Sequence, residues 1–316
     1  MEIFKQTLNT FASLSAVRIV RKAFVALYPK ALKTLHTRKE LAGALSGTDA
    51  PGVGFVPTMG ALHHGHMSLV ERARAENPTV VVSLFVNPTQ FNDPDDLHNY
   101  PRTPEDDLRM LEEAGADIVF MPPVEEMYPE PDTRVFDFGT LDKVMEGATR
   151  PGHFNGVAQV VSRLFEMVSP ARAYFGQKDF QQVAVIREMV RQLGLGVQVE
   201  VCPIVREPDG LALSSRNALL TPNHREAAPT IYRALLAGAE YAGGEGGREG
   251  EQAVRRTEEY VRRIVDAHPL LKTIYFSIVN AATLLPARSL DERGGVQGCI
   301  AVQAGKVRLI DNISFV

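Results

Sequence analysis

The chain has 316 residues, of which 45% are hydrophobic, so it is long enough to bury a sizeable core in one or two domains. Its formal net charge of −4 gives no overall attraction to nucleic acid, and the sequence contains no apolar run long enough to span a membrane. Its two cysteines, Cys202 and Cys299, lie far apart without metal-motif spacing, which favours buried thiols over a disulfide. We therefore expect a cytoplasmic globular protein that binds neither nucleic acid nor membrane.

The N-terminal segment 1–33 is basic, with several Lys and Arg residues against a single acid, Glu2. An acid-poor amphipathic pattern of this kind is typical of a transit peptide. A helical extension, or an upstream start codon in the gene, would give the same pattern. We predict that 1–33 is an extension without a catalytic role, and its purpose stays open.

The segment 34–203 alternates strand and helix patterns. Continuous apolar runs predict buried strands of a parallel sheet at 53–56, 79–86, 117–121, 173–175 and 197–201. Helical patterns lie between them at 37–45, from 65 onward, at 103–115, at 154–168 and after 179. This alternation predicts a Rossmann-like, doubly wound α/β fold.

The segment 204–316 differs in composition. The stretch around Pro203 and Pro208-Asp-Gly210 has the composition of a hinge. Helical stretches follow at 223–241 and 251–267, joined by a glycine-rich connector, and strand-like segments lie at 273–279, 299–303 and 306–310. We predict a smaller C-terminal α+β domain.

The most informative stretch follows the apolar run that starts at Val53. A turn over 57–60 leads to His63, Gly65 and His66, where a helical pattern begins. A helix N-terminus attracts phosphates, because its first N–H groups lack partners and its dipole is positive there. Imidazoles at i and i+3 share one helical face and can donate hydrogen bonds to a polyphosphate.

Two other interpretations of this stretch stay open. The first is a surface turn without a ligand. The second is a zinc site at His63, His64 and His66, which is weaker because the sequence has neither Cys-x-x-Cys nor His-Glu-x-x-His.

Two further polar turns carry groups suited to phosphate, at 176–179 and 213–216. Lys178 can neutralise a polyphosphate as a point charge, and Ser214, Ser215 and Arg216 can hold the same group. A solvated helix start and an N-cap turn would explain these residues equally well. The sequence has no Walker A motif and no Gly-x-Gly-x-x-Gly after a strand, so a P-loop kinase or a nicotinamide enzyme has little support.

Taken together, these turns and several other blocks resemble the pantoate–β-alanine ligase family of the nucleotidylyltransferase superfamily. His-x-Gly-His alone marks only the superfamily, whereas the complete set, in order over about 34–314, is specific. The matching blocks are Pro57-Thr-Met-Gly-Ala-Leu-His-His-Gly-His66, Phe85-Val-Asn-Pro-Thr-Gln-Phe91, Tyr100-Pro-Arg-Thr103, Arg150-Pro-Gly-His-Phe154, Phe175-Gly-Gln-Lys-Asp-Phe-Gln-Gln182, Gly210-Leu-Ala-Leu-Ser-Ser-Arg-Asn217 and Arg308-Leu-Ile-Asp-Asn312.

The resemblance implies the reaction of ATP, (R)-pantoate and β-alanine to pantothenate, AMP and diphosphate through a pantoyl-adenylate. It also implies a homodimer, and the mechanism calls for Mg²⁺ on the ATP phosphates. The Pro/Gly break before the serine motif predicts that an ATP- and pantoate-binding domain at 34–203 is closed by a lid at 204–316. No protein ligand of the metal is assigned.

By the same resemblance, the catalytic residues are His63, His66, Lys178 and Arg216, with His66 at the family's proton-donor position. Gln90 and Gln182 would hold the hydroxyls of pantoate, with Gln90 also toward β-alanine. The predicted ATP-binding residues are Met59, Gly60, Ala61, Leu62, His63, His64, Gly65, His66, Gly176, Gln177, Lys178, Asp179, Val205, Leu213, Ser214, Ser215 and Arg216. Residues matching the pantoate pocket are Val160, Val161, Leu164 and Phe91.

Small departures and alternatives remain. Gln177 stands where many family members have Glu, and Arg150 and His153 lie in a matching block without an assigned contact. The enzyme alternatives are another nucleotidylyltransferase and a divalent-metal hydrolase, the latter using His63, His64 and His66 with acids at 93, 95 and 96. The non-enzyme alternative is a protein that senses ATP without turnover.

Overall fold

The computed structural model describes residues 31–47 and 52–315, so almost all of the predicted extension lies outside the described residues. Lys33, the last residue assigned to that extension, begins a short edge strand of the first sheet. Within the described ranges, no helix is both long and apolar enough to cross a membrane.

The first sheet has six strands, all parallel, in the order β1-β4-β3-β2-β5-β6. The strands are β1 (Lys33–Leu35), β2 (Val53–Thr58), β3 (Thr79–Leu84), β4 (Ile118–Phe120), β5 (Arg172–Gly176) and β6 (Gln198–Cys202). This confirms the predicted Rossmann-like fold. Sequence analysis missed β1, because a strand of only three residues carries too little pattern to be recognised.

Helices cover both faces of this sheet. The helices of this part of the chain are α1 (Arg38–Leu45), α2 (His64–Glu76), α3 (Pro94–Asn99), α4 (Pro104–Glu113), α5 (Val124–Met127), α6 (Met145–Thr149), α7 (His153–Val168) and α8 (Phe180–Gln192). Phe55 of β2 packs into the core on the side of α1, α7 and α8, whereas its neighbour Val56 packs on the side of α2 and α4. Successive side chains of a strand point to opposite faces, so β2 is buried on both.

The pairing of β2 explains where the sheet opens. β2 pairs with β3 along its whole length, but with β5 only at Gly54 and Phe55. Pro57, which lacks an N–H, lies beyond the end of the β5 pairing, so a proline is tolerated in this central strand. We predicted Pro57 and Thr58 as turn residues, but the structure places both in β2. In the strand order, β3 lies beside β2 and β6 lies beside β5, on opposite sides of the β2–β5 pair. The gap between the ends of β2 and β5 is therefore the switch point where α/β sheets bind ligands.

The C-terminal part contains a three-stranded antiparallel sheet in the order β7-β8-β9. Its elements are α9 (Pro222–Ala227), α10 (Thr230–Gly243), α11 (Gly250–Asp266), β7 (Leu271–Asn280), β8 (Val296–Ala304) and β9 (Val307–Ser314). The single helix predicted at 223–241 is divided in two at Pro229, which has no N–H to continue the hydrogen bonding of α9. The α+β prediction is otherwise confirmed.

Strand β9 makes non-covalent contacts between the C-terminal part and the part that contains the six-stranded sheet. The buried amide of Asn312 donates hydrogen bonds of 3.0 Å to the backbone oxygens of Gln177 and Lys178, in the turn after β5. Arg308 of β9 forms an ion pair of 2.6 Å with Glu146 of α6. These contacts place the C-terminal sheet beside the carboxyl end of β5.

Candidate active site

A cavity of about 210 Å³ lies at the carboxyl ends of β2 and β5. It gathers the turn after β2, the turn after β5 and the segment after β6, which are distant in sequence. The predicted site residues that line it are Met59, His63, Gly65, His66, Gln90, Gly176, Lys178, Asp179, Gln182, Val205, Leu213, Ser214, Ser215 and Arg216. The predicted ATP-binding residues outside its lining are Gly60, Ala61, Leu62, His64 and Gln177.

The turn after β2 is held by a buried carboxylate from α4, which is not the helix that directly follows the turn. Gly60 and Ala61 adopt left-handed backbone conformations, with φ of 81° and 49°. Asp107 of α4 accepts hydrogen bonds from the N–H groups of Ala61 at 2.9 Å and Leu62 at 2.7 Å. Gly60, Ala61 and Leu62 therefore shape the turn that presents the histidines.

The two histidines cap the N-terminus of α2 reciprocally. His63 Nδ1 accepts the N–H of Gly65 at 3.1 Å, and His66 Nδ1 accepts the N–H of His63 at 3.3 Å. With both Nδ1 atoms acting as acceptors, each ring carries its proton on Nε2. A side chain at position 65 would displace the imidazole of His63, because a Cβ there would lie 2.8 Å from its Cε1.

Both imidazoles are neutral near pH 7. Burial, together with the nearby charge of Lys178, lowers the pKa of His63 to about 4. Burial also lowers the pKa of His66 well below its usual value, with His63 and Lys178 adding to the effect. Each histidine thus offers an Nε2–H donor to the cavity without a resident charge. The negative charge of a bound polyphosphate would raise both pKa values.

Two cationic side chains line the cavity, and they differ in whether another side chain already binds them. Lys178 lies in the 3-10 turn Gln177–Asp179, and its side chain makes no hydrogen bond or ion pair with any residue of the ranges 31–47 and 52–315. Arg216, in contrast, binds Asp96 through two contacts, with Nε to Oδ1 at 3.2 Å and Nη2 to Oδ2 at 2.9 Å. Its guanidinium also lies over the ring of Tyr100. Arg216 is therefore held in place, whereas the charge of Lys178 is available to a ligand.

The segment after β6 is tied to the turn after β2. Ser214 caps the 3-10 turn Ser215–Leu219 by accepting the N–H of Arg216. The hydroxyl of Ser215 donates a hydrogen bond of 2.9 Å to the backbone oxygen of Ala61. The serine motif from the C-terminal segment thereby reaches the histidine-bearing turn.

One wall of the cavity is apolar and carries three side-chain amides. Gln90 and Gln182 line it together with Asn87, which is buried and donates to Gln90 Oε1 at 3.2 Å. Phe91, predicted to line the pantoate pocket, lies outside the lining and packs against Tyr100. The apolar side chains of α7 in the wall are Val157, Val160, Val161 and Leu164.

Two of the three acidic residues of the metal-hydrolase alternative have other roles. Asp93 caps α3 by accepting the N–H of Asp95 at 2.9 Å, and Asp96 pairs with Arg216. Within the part of the chain that the structure describes, no group of three or more His, Cys, Asp or Glu side chains could hold a metal ion. The hydrolase alternative therefore has no geometric support in the described residues.

The buried histidines give the fold a pH dependence. The pKa of His63 and that of His153 are each lowered to about 4, from an unfolded value near 6.5. Between these values the unfolded chain binds more protons, so the folded state should lose stability as the pH falls from 6.5 to 4. The loss is at most about 3 kcal/mol per histidine. Thermal unfolding midpoints of the wild type, His63→Asn and His153→Asn across this range measure it. A wild-type midpoint that does not fall, or variants that keep the full wild-type slope, would contradict the assignment.

Comparisons with known proteins agree with this arrangement. A sequence model of the family described as Pantoate-beta-alanine ligase matches residues 31–314. The pantothenate synthetase of Bacteroides thetaiotaomicron is 52% identical over 286 residues, covering 90% of this chain and 99% of the relative. That of Porphyromonas gingivalis W83 is 55% identical over 319 residues, covering 100% of this chain and 99% of the relative.

Solved structures give the same result. A crystal structure of pantothenate synthetase from Thermus thermophilus superposes with a TM-score of 0.82 at 51% identity, covering 90% of this chain and 99% of that chain. The ligase from Francisella tularensis, described as complexed with beta-gamma ATP and beta-alanine, gives a TM-score of 0.73 at 33% identity. It covers 90% of this chain and 98% of that chain. From the family match and these identities, the chain belongs to the pantoate–β-alanine ligase family.

Proposed function

We propose that this chain condenses (R)-pantoate with β-alanine at the expense of ATP, releasing AMP and diphosphate. The observation that carries the proposal is the cavity at the switch point. It combines a helix N-terminus bearing two neutral histidines with an amide-bearing apolar wall and with a lysine that has no hydrogen bond or ion pair to any described residue. A polyphosphate suits the histidines and the lysine, and a branched acid with two hydroxyls suits the amide-bearing apolar wall.

In this proposal the ATP phosphates lie between α2 and the turn after β5. The Nε2–H groups of His63 and His66 donate to phosphate oxygens, and Lys178 supplies positive charge. Ser214, Ser215 and Arg216 contact the nucleotide from the C-terminal side. The remaining predicted ATP contacts are the backbone of the turn after β2, Gly176–Asp179 and Val205.

Pantoate is proposed to lie against α7. The amides of Gln90 and Gln182 would bind its hydroxyls, and its dimethyl carbon would contact Val160, Val161 and Leu164. A site built to hydrogen-bond hydroxyls leaves buried polar groups unpaired when an analogue lacks them. We therefore propose that the amides set the substrate specificity.

The chemistry needs no covalent enzyme intermediate. A pantoate carboxylate oxygen attacks the α-phosphorus of ATP, and the bond to diphosphate breaks, which gives the pantoyl-adenylate. The amine of β-alanine then attacks the acyl carbon, the bond to AMP breaks, and the amine loses a proton. The protein contributes positioning and electrostatic stabilisation of the departing diphosphate, because both reactants are anions that repel each other.

Magnesium enters this proposal as part of the substrate, Mg·ATP. Asp179 is the one carboxylate among the described residues that line the cavity, and Mg²⁺ typically needs one or two carboxylates besides the substrate phosphates. The donor set therefore fits a phosphate-bound ion. When bound, the ion neutralises phosphate charge.

We further propose that residues 204–316 act as a lid on the domain formed by 34–203. Ser215 and Arg216 already contact Ala61 and Asp96 of that domain. Closure would keep water away from an anhydride that hydrolyses readily. A reversible crosslink between the two parts should stop turnover until it is reduced, and undiminished turnover of the crosslinked protein would contradict the lid.

A cytoplasmic homodimer is also proposed, on the basis of the family resemblance. Light scattering of the purified full chain measures the mass in solution. A mass near twice that of one chain at micromolar concentration supports the dimer. A mass near that of one chain contradicts it.

The function is tested by product analysis. Purified protein is incubated with Mg·ATP and pantoate, with and without β-alanine, and pantothenate, AMP and diphosphate are measured. Pantothenate that forms only with all three substrates supports the proposal. ATP binding without diphosphate release would instead favour a sensor. Release with a different acid would favour another nucleotidylyltransferase.

A further inference from the structure

Gln90 ends the short 3-10 turn Pro88–Gln90. Asn87 caps this turn by accepting the N–H of Thr89 at 3.4 Å, and a backbone hydrogen bond of 3.3 Å from Phe91 to Pro88 closes it. The side-chain amide of Gln90 accepts from Asn87 and donates to Met59 Sδ, each at 3.2 Å. Because 3-10 geometry gives weak hydrogen bonds, the backbone of Gln90 also depends on the elements packed against the turn.

The start of helix α7 supplies that support. The imidazole of His153 has Nδ1 at 2.8 Å from the backbone oxygen of Gln90, and Arg150 Nη2 lies 3.4 Å from the same oxygen. His153 is buried, with 7% of its surface exposed. Neither Arg150 nor His153 is part of the cavity lining. Both line a second cavity of about 50 Å³ together with Lys178, Asp179 and Gln182. Their hydrogen bonds to the first cavity's lining go to the backbone oxygen of Gln90.

Arg150 also determines which ring nitrogen of His153 carries the proton. A carbonyl oxygen only accepts, so Nδ1 of His153 must carry a proton. On the other side of the ring, Arg150 Nη1 lies 3.1 Å from Nε2, and a guanidinium only donates. Nε2 is thus the acceptor, and one neutral tautomer satisfies both contacts. Burial and the charge of Arg150 lower the pKa of His153 to about 4, which agrees with the neutral form.

The same helix also packs directly against the turn. A Cβ at Gly156 would lie 2.5 Å from the oxygen of Thr89 and 2.9 Å from Cα of Gln90. Asn87 donates a hydrogen bond of 3.1 Å to the backbone oxygen of Gly156. The turn therefore packs closely against α7, and other side chains of this helix, Val157, Val160, Val161 and Leu164, form the apolar wall of the cavity.

We propose that His153, oriented by Arg150, is a positioning residue that fixes Gln90 for the recognition of a substrate hydroxyl. This inference rests on the proposed function, in which Gln90 binds a pantoate hydroxyl. The helix that forms the apolar wall thus also sets the distance from that wall to the amide. Displacing a substrate-positioning group by about 1 Å can cost about 10²-fold in rate.

The test separates the Nδ1 donor from the rest of the ring. In His153→Asn an amide can donate from near the Nδ1 position, whereas in His153→Gln the amide lies near the Nε2 position. We expect His153→Gln and His153→Ala to raise KM for pantoate about 10- to 100-fold, with KM for ATP unchanged. His153→Asn should restore most of the affinity for pantoate. Because the Asn and Gln variants are similar in size and polarity, their comparison remains informative if the alanine variant does not fold.

A double variant and a control exclude a merely structural role. If His153 acts through Gln90, His153→Gln should add little to the defect of Gln90→Ala. The control is Gln159→Ala, which also removes a buried α7 side chain that donates to backbone oxygens, those of Asp132 and Arg134. It should leave KM for pantoate unchanged.

The outcomes are distinct. An active wild type whose His153→Gln and Gln90→Ala defects multiply, or whose Asn and Gln variants behave alike, overturns the positioning role and leaves the proposed function intact. A wild type that forms no product from pantoate overturns both. The inference is supported if His153→Gln raises KM for pantoate only, if His153→Asn restores most of the affinity, and if His153→Gln adds little to the defect of Gln90→Ala.

Discussion

Replacing Lys178 by methionine is expected to slow pantoate-dependent diphosphate release by about 10²- to 10³-fold. The ammonium of Lys178 faces the cavity without a hydrogen bond or ion pair to any described residue. Its charge is therefore free to balance charge on the departing diphosphate, whereas Arg216 is already paired with Asp96. Methionine keeps much of the side-chain length and removes the charge. Single-turnover release of diphosphate from Mg·ATP and pantoate measures the effect.

The matched control for this prediction is Lys306→Met. Lys306 is exposed in the turn between β8 and β9, so its replacement makes the same change in net charge away from the cavity. We expect the wild-type rate in this variant. Equal rates for Lys178→Met and the wild type would show that the lysine charge has no part in the first step.

The second large effect is expected at His66. In His66→Asn the amide oxygen can take the place of Nδ1 and still accept the N–H of His63, which preserves the cap of α2. Nothing replaces the Nε2–H donor. We expect the rate of diphosphate release to fall about 10²- to 10³-fold, with a thermal unfolding midpoint close to that of the wild type.

The complementary variant at this position is His66→Gln, whose amide reaches toward the position of Nε2. It should recover part of the lost rate, because a donor is again directed at the phosphates. If His66→Asn kept the wild-type rate, a donor role for His66 would be excluded. If both variants lost the same rate and also unfolded at a lower temperature, loss of the cap of α2 would account for the defect and the donor would not.

The sheet and most of its helices could be predicted from local pattern. Buried parallel strands give continuous apolar runs, and α7 shows its core face through Val157, Val161 and Leu164. One error occurred where a tertiary contact overrides local preference. Pro57 indicates a turn by itself, yet it lies in β2, because the missing N–H falls where β5 has already separated from β2.

The candidate site could be predicted only in part. His63, His66 and Lys178 stand in recognisable motifs, and the structure brings them to one cavity. The residues that hold these groups could not be found in the same way. Asp107 reaches the turn after β2 from 45 residues away, and Arg216 pairs with Asp96 across 120 residues.

Local sequence gives such partners another explanation. An aspartate in the first turn of a helix is expected for electrostatic reasons alone, so nothing in the sequence indicates that Asp107 binds a distant backbone. Likewise, the sequence indicates only that His153 stands in a matching block just before the predicted helix 154–168, and the structure is needed to show Gln90 beside it. Motifs thus identify the groups that contact substrate, while their supports emerge only from packing.

The adenylate is the central claim, and isotope transfer tests it most directly. Pantoate labelled with ¹⁸O in its carboxylate is turned over with Mg·ATP and β-alanine, and the AMP is examined by mass spectrometry. Attack of the carboxylate on the α-phosphorus predicts one labelled oxygen in AMP, with the other retained in the amide carbonyl of pantothenate. Unlabelled AMP, or label in inorganic phosphate with release of ADP, would contradict it.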